Sequence, residues 1–143
     1  MLQFYALSVL TNFMSGIILA QETFSERTGI TALFNPEVLR SKTFLLVWGI
    51  LTAVTGVFKI LSVTEGDVII VGDLLPAIAG LASGIALLLM FYRERRTPSE
   101  GAEVGSDAVD RIDALLSQNK TLVGVLSVVA ALLHFLFPRV LFL

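Results

Sequence analysis

Val68–Tyr92 reads VIIVGDLLPAIAGLASGIALLLMFY, an apolar run whose one charged side chain is Asp73. A hydrocarbon core of about 30 Å takes roughly 20 helical residues at about 1.5 Å each, and this stretch is long enough to cross it. Three further runs meet the same length: Leu2–Ala20, Thr43–Val63 and Thr121–Leu143. The chain therefore reads as an all-α integral membrane protein with four transmembrane helices in a single domain. Its parts are helix 2–20, loop 21–42, helix 43–63, tight turn 64–67, helix 68–92, loop 93–120 and helix 121–143.

Composition agrees with a lipid-embedded chain. Of 143 residues, 55% are hydrophobic and 15% charged, where soluble proteins carry about 25% charged residues. The charges gather between the apolar runs. A net charge of −2, with no basic stripe, leaves nothing to neutralise the phosphates of a nucleic-acid partner. Without cysteine, disulfides, thiolate catalysis and Cys-based metal sites are excluded.

The loops orient the bundle. Arg27, Arg40 and Lys42 lie in the first long loop; Arg93, Arg95, Arg96, Arg111 and Lys120 lie in the second. The turn Thr64-Glu65-Gly66-Asp67 has no positive residue. Short basic loops stay in the cytoplasm, which puts both long loops inside and both termini outside; Arg139 is the exception to the pattern. Compactness and short loops suit a bacterial inner membrane. A cleaved leader is a poor fit to the first run, which has no basic residue before it and no small-x-small site at Ile18-Leu19-Ala20.

The halves of the chain resemble each other. Leu7–Leu19 (LSVLTNFMSGIIL) and Leu75–Leu87 (LPAIAGLASGIAL) share the opening Leu and a Ser-Gly-Ile in register. Leu39–Thr43 and Leu116–Thr121 lead similarly into the second and fourth helices. Two helical hairpins, about 1–65 and 67–143, are the expected units, and two crossings per unit make the repeat parallel. Chance similarity between apolar helices is the alternative.

Asn35-Pro36-Glu37 is a helix start: a capping amide, proline at the first helical position, and an acid near the positive end of the dipole. The second helix is expected to begin there and run on into the membrane. After Thr97-Pro98-Ser99-Glu100, Gly101 and Gly105 favour a turn. From Ser106 onward Val109, Ile112, Leu115 and Leu116 recur at helical spacing opposite Asp107, Asp110, Arg111 and Asp113, an amphipathic helix feeding the fourth span. The Arg93-Arg95-Arg96 cluster suits lipid headgroups or simple topology anchoring.

Small residues mark the helix contacts. Gly80 and Gly84 form a GxxxG in the third helix; Gly16 lies in the first, and Gly49 and Gly56 in the second. Packing inside the bundle is the plain reading and dimerisation the sharper one.

Polar groups within spans are expensive and mark sites by default. They are Asn12, Lys59, Asp73, His134 and Arg139. Lys59 and Asp73 flank the same turn at equal depth, so an ion pair is natural. In the plain reading the lysine and arginine reach the headgroups and the histidine bonds between helices. In the functional reading the group lines an outward pocket or proton path. Only Asn12 and His134 approach the midplane, where transporter sites lie. Enzymatic motifs are lacking: no HExxH, no G-x-S-x-G elbow, no phosphate-cradling loop. Ser15, Ser83 and Ser127 sit among small residues at packing positions. The expected protein is a non-enzymatic membrane module that binds itself or other membrane subunits, without cofactor or metal. The alternative is a small transporter or channel component using Asp73, Lys59 and His134.

Overall fold

The computed structural model describes residues 2–28, 35–61, 74–95 and 107–136, and these are helical apart from short connections. The elements are α1 (Leu2–Leu19), α2 (Gln21–Thr28), α3 (Pro36–Leu39), α4 (Lys42–Leu61), α5 (Leu74–Arg95), α6 (Asp107–Gln118) and α7 (Lys120–Leu136). Asp73, Arg139, the acidic turn and the Thr97–Glu100 segment lie outside the described residues.

Helices α4 and α5 are each long and apolar enough to cross a bilayer. The 18 residues of α1 and 17 of α7 correspond to about 27 and about 26 Å, within the range of transmembrane helices. Each is joined to a polar helix by a sharp bend, 85° between α1 and α2 and 72° between α6 and α7. The bends fall where apolar sequence gives way to polar sequence. Turning there keeps Glu22, Glu26, Asp110 and Asp113 out of hydrocarbon, where charged side chains are costly. Four spans with two hydrophobic helix pairs thus form the all-α, multi-pass bundle.

The spans are arranged as two interlocked hairpins. Helices α1 and α5 run side by side in the same direction through the centre, and α4 and α7 flank them. Each hairpin's second helix packs chiefly on the first helix of the other: α4 on α5, α7 on α1. Large apolar residues such as Ile50, Val54, Ile78, Leu126 and Leu132 face outward, where lipid replaces the usual core. The contacts between spans are lined by glycine, alanine, serine and threonine, the residues that allow close backbone approach, while Ile17, Leu45 and Leu87 are the largest apolar side chains buried among them.

Two local expectations are modified. Asn35 does cap a helix, its Oδ1 accepting from Glu37 N at 2.9 Å, but α3 stops at Leu39 instead of running into the membrane. Ser41 recaps the chain, its Oγ accepting from Phe44 N at 3.3 Å, so α4 starts afresh at Lys42. The amphipathic helix is present as α6, yet it meets α7 at a bend rather than continuing into it. Asn119 sits at that bend and donates from Nδ2 to Leu115 O at 2.8 Å. Helix α2 has no counterpart in the sequence reading, because eight residues with Phe24 as their one apolar side chain have no apolar period and carry no helical signature.

Candidate functional site

The glycines singled out from sequence all lie on contacts between spans. A Cβ placed on Gly16 would stand 2.5 Å from Gly124 O, and one on Gly84 would stand 2.6 Å from Ala53 N. Both distances are shorter than any side chain tolerates, so α1 meets α7, and α4 meets α5, backbone to backbone. On the same faces Gly49 abuts Leu88 and Gly84 O, and Gly56 abuts Leu81 and Ala77 O. Gly80 turns to α1, where a Cβ would lie 3.1 Å from Asn12 Oδ1. The GxxxG of α5 is thus occupied inside the bundle.

The glycine contacts of the two seams match, Gly124 lying on Gly16 O as Gly49 lies on Gly84 O. Aligning Leu7–Leu19 with Leu75–Leu87 pairs Gly16 with Gly84 and Ser15 with Ser83. The glycines that face them, Gly124 and Gly49, then become equivalent, which also matches His134 with Lys59. This register differs from one built on Lys42 and Lys120, where the two loops happen to rhyme. Ser15 Oγ and Ser83 Oγ meet at 3.1 Å between α1 and α5, on the line about which the halves correspond.

A buried polar column runs along these seams: Ser8, Thr11, Asn12, Ser15, Thr52, Thr55, Ser83 and Ser127. Its hydroxyls bond mainly to their own helices. Ser15 donates to Thr11 O at 2.6 Å, Thr52 to Trp48 O at 2.8 Å and Thr55 to Leu51 O at 2.7 Å. Ser83 donates to Ala79 O at 2.7 Å and Ser127 to Val123 O at 2.8 Å. A hydroxyl satisfied four residues back is compatible with a dry interior. Bonds between helices are fewer: Asn12 donates from Nδ2 to Pro76 O at 2.9 Å, and Ser127 Oγ reaches Ala79 O at 3.4 Å. Asn12 Oδ1 is buried and meets no hydrogen-bond donor among the described residues.

At the end of the bundle away from the long loops, Lys59 and His134 come together over a residue the sequence reading passed by. The rings of Tyr5 and His134 lie 4.6 Å apart, and Lys59 Nζ lies 5.9 Å from the Tyr5 ring centroid. Tyr5 donates its hydroxyl proton to His134 O at 2.6 Å. Lys59 and His134 are both buried. The available signal was depth: a tyrosine in the first turns of α1 shares a layer with the end of an antiparallel α7. Asn12 lies about two turns deeper along α1 and does not join this cluster.

The loop face is different in kind. Arg93 grips Asp113 through Nε at 3.0 and 2.9 Å and through a 2.7 Å ion pair, tying α6 to α5. Arg95 stacks on Phe91, 5.4 Å from its centroid. Two members of the basic cluster are therefore engaged with the protein itself. Lys120 faces Glu22 at 3.5 Å, and Arg40 Nε donates to Gln21 Oε1 at 3.1 Å. Beneath them lies a cavity of about 270 Å³ lined by Ile18, Leu19, Gln21, Glu22, Arg40, Met90, Glu94 and Lys120. Among the described residues no group of three or more His, Asp or Glu side chains could hold a metal ion.

These features define a small multi-pass membrane protein: four spans sealed by glycine, with charged helices laid across one end. A protein-family profile matches residues 1–134. The chain is also 33% identical over 143 residues, the full length of both proteins, to an uncharacterized protein of Treponema pallidum (strain Nichols). The chain belongs to the family of that full-length bacterial relative. No solved structure matches it.

Proposed function

We propose that the protein is a non-enzymatic module of a bacterial inner membrane, acting as a subunit that associates with itself or with other membrane proteins and binds no nucleic acid. The observation that carries this reading is the interior. Hydroxyls bonded to their own helices and glycines in backbone contact make a packed centre, leaving the outer faces and the loop end to do the work. The long basic loops lie in the cytoplasm and the Tyr5 end faces outward. The seam correspondence supports an origin by duplication of one helical hairpin.

A second reading rests on the convergence of Lys59 and His134 on Tyr5. In it, those two residues with Asp73 form an outward-facing polar site of a small transporter or channel component, with Asp73 as the exchangeable carboxylate and Arg139 as a further charge. Purification from native membranes in mild detergent, followed by size and subunit analysis, tests the first reading: a lone monomer overturns it. Substitution separates the two. A module retains assembly when Asp73→Asn is paired with Lys59→Met, whereas a transporter stays assembled but loses flux with Asp73→Asn alone.

A further inference from the structure

We propose that the loop-face cavity is a binding site for a zwitterionic phosphate–ammonium headgroup, of the phosphoethanolamine class. The lining charges decide the ligand's sign. Arg40 and Lys120 supply two cations, Glu22 and Glu94 two carboxylates, so the cavity favours neither a simple anion nor a simple cation. A ligand that carries both charges a few bonds apart matches all four.

The partners already present leave these groups usable. Arg40 is held by Nε on Gln21, a buried side chain, and this directs a guanidinium whose terminal nitrogens make no bond among the described residues. Lys120 and Glu22 share one 3.5 Å contact and are 46% and 68% exposed, a weak pair that opens readily. Glu94 makes no hydrogen bond or ion pair among the described residues.

Depth and size point to the membrane interface. Leu19 ends α1, Lys120 begins α7, and Glu94 lies in the last turn of α5, so the cavity straddles the level at which the spans leave hydrocarbon. Its floor of Ile18, Leu19 and Met90 is apolar and suits the first carbons beyond a phosphate. At about 270 Å³ it is smaller than the roughly 300–1,000 Å³ of pockets for drug-sized ligands, and is sized for a headgroup.

The test is native mass spectrometry of the full chain in mild detergent, titrated with phosphatidylethanolamine, with phosphatidylglycerol, and with water-soluble phosphoethanolamine as competitor. The expected result is retention of phosphatidylethanolamine in preference to phosphatidylglycerol. Arg40→Gln lowers that retention about fivefold, the effect of about one kcal/mol per basic residue near a headgroup. Glu94→Gln removes a carboxylate that matches the ammonium, lowers phosphatidylethanolamine retention, leaves phosphatidylglycerol unchanged or tighter and so narrows the preference. Displacement by phosphoethanolamine assigns recognition to the headgroup alone; failure to displace assigns it to the intact lipid seated on the apolar floor. Equal retention of the two lipids, or retention indifferent to both substitutions in variants that melt like the parent, overturns the proposal.

Discussion

The seam between α1 and α7 and the loop face that joins α5 to α6 hold helices together by opposite means. At the seam, Gly16 and Gly124 contribute no side chain, and the contact exists because atoms are missing. At the loop face, Arg93 reaches across to Asp113 with one of the longest side chains available. A backbone contact immobilises no rotamers and is unaffected by salt, but tolerates no added volume. An exposed ion pair tolerates many replacements because it contributes little. The fold should therefore be brittle at its centre and forgiving at its loop end.

The largest effect is expected at the seams. Gly16→Leu or Gly84→Leu should destabilise the bundle by about 3 kcal/mol or prevent its assembly, since the new side chain meets main-chain atoms that cannot move aside. Reversible unfolding in detergent, or loss of a discrete bundle on size exclusion, measures this. A wild-type melt in either variant would show that the helices do not meet backbone to backbone.

The next effect sharpens the contrast between the seams and the α1–α5 centre. Gly80→Ala should destabilise by about 1 kcal/mol because its methyl meets Asn12 Oδ1. In an Asn12→Ala background, which has already lost the bond to Pro76 O, the same substitution should cost little, because contacting residues couple. A double-mutant cycle gives the coupling directly, and strict additivity would place the two residues out of contact.

Smaller still is the outer cluster. Tyr5→Phe removes the hydroxyl bonded to His134 O and should lower stability by about 0.6 kcal/mol, typical of polar contacts between membrane helices. At the loop face Arg93→Ala should change stability by less than about 1 kcal/mol, with a dependence on salt. Its clearer signature is faster hydrogen exchange in α6, because the tie to α5 is gone. Slower or unchanged exchange there would mean that packing, not the ion pair, holds α6.

The spans were legible because a bilayer imposes a length on every segment that crosses it, and Val68–Tyr92 cannot be read as anything shorter. The amphipathic α6 was legible through the spacing of Ile112, Leu115 and Leu116. Helix α2 was not, for it lacks an apolar period, and neither was the restart at Ser41, because a capping serine and a mid-helix serine look alike in sequence. Among the polar residues, that Lys59 and His134 share a layer followed from their depth near the ends of two spans that run the same way. Their meeting over Tyr5 did not, because rotation of a helix about its own axis is set by its neighbours. The contacts of the basic cluster were hidden for a related reason: composition shows where arginines are, not that Arg93 and Arg95 are turned toward Asp113 and Phe91.

Length, hydropathy and the placement of charge determined by themselves that this chain crosses a membrane four times and gathers its charges in the segments between the spans. Those properties depend only on the free energy of moving each residue into lipid, a sum along the chain. Tertiary structure alone decided that α4 packs on α5 and α7 on α1, that Ser15 meets Ser83, and that Arg40, Lys120, Glu22 and Glu94 surround one cavity. Such contacts depend on which faces oppose each other at a separation of a few ångströms, a relation between distant residues that no local pattern encodes.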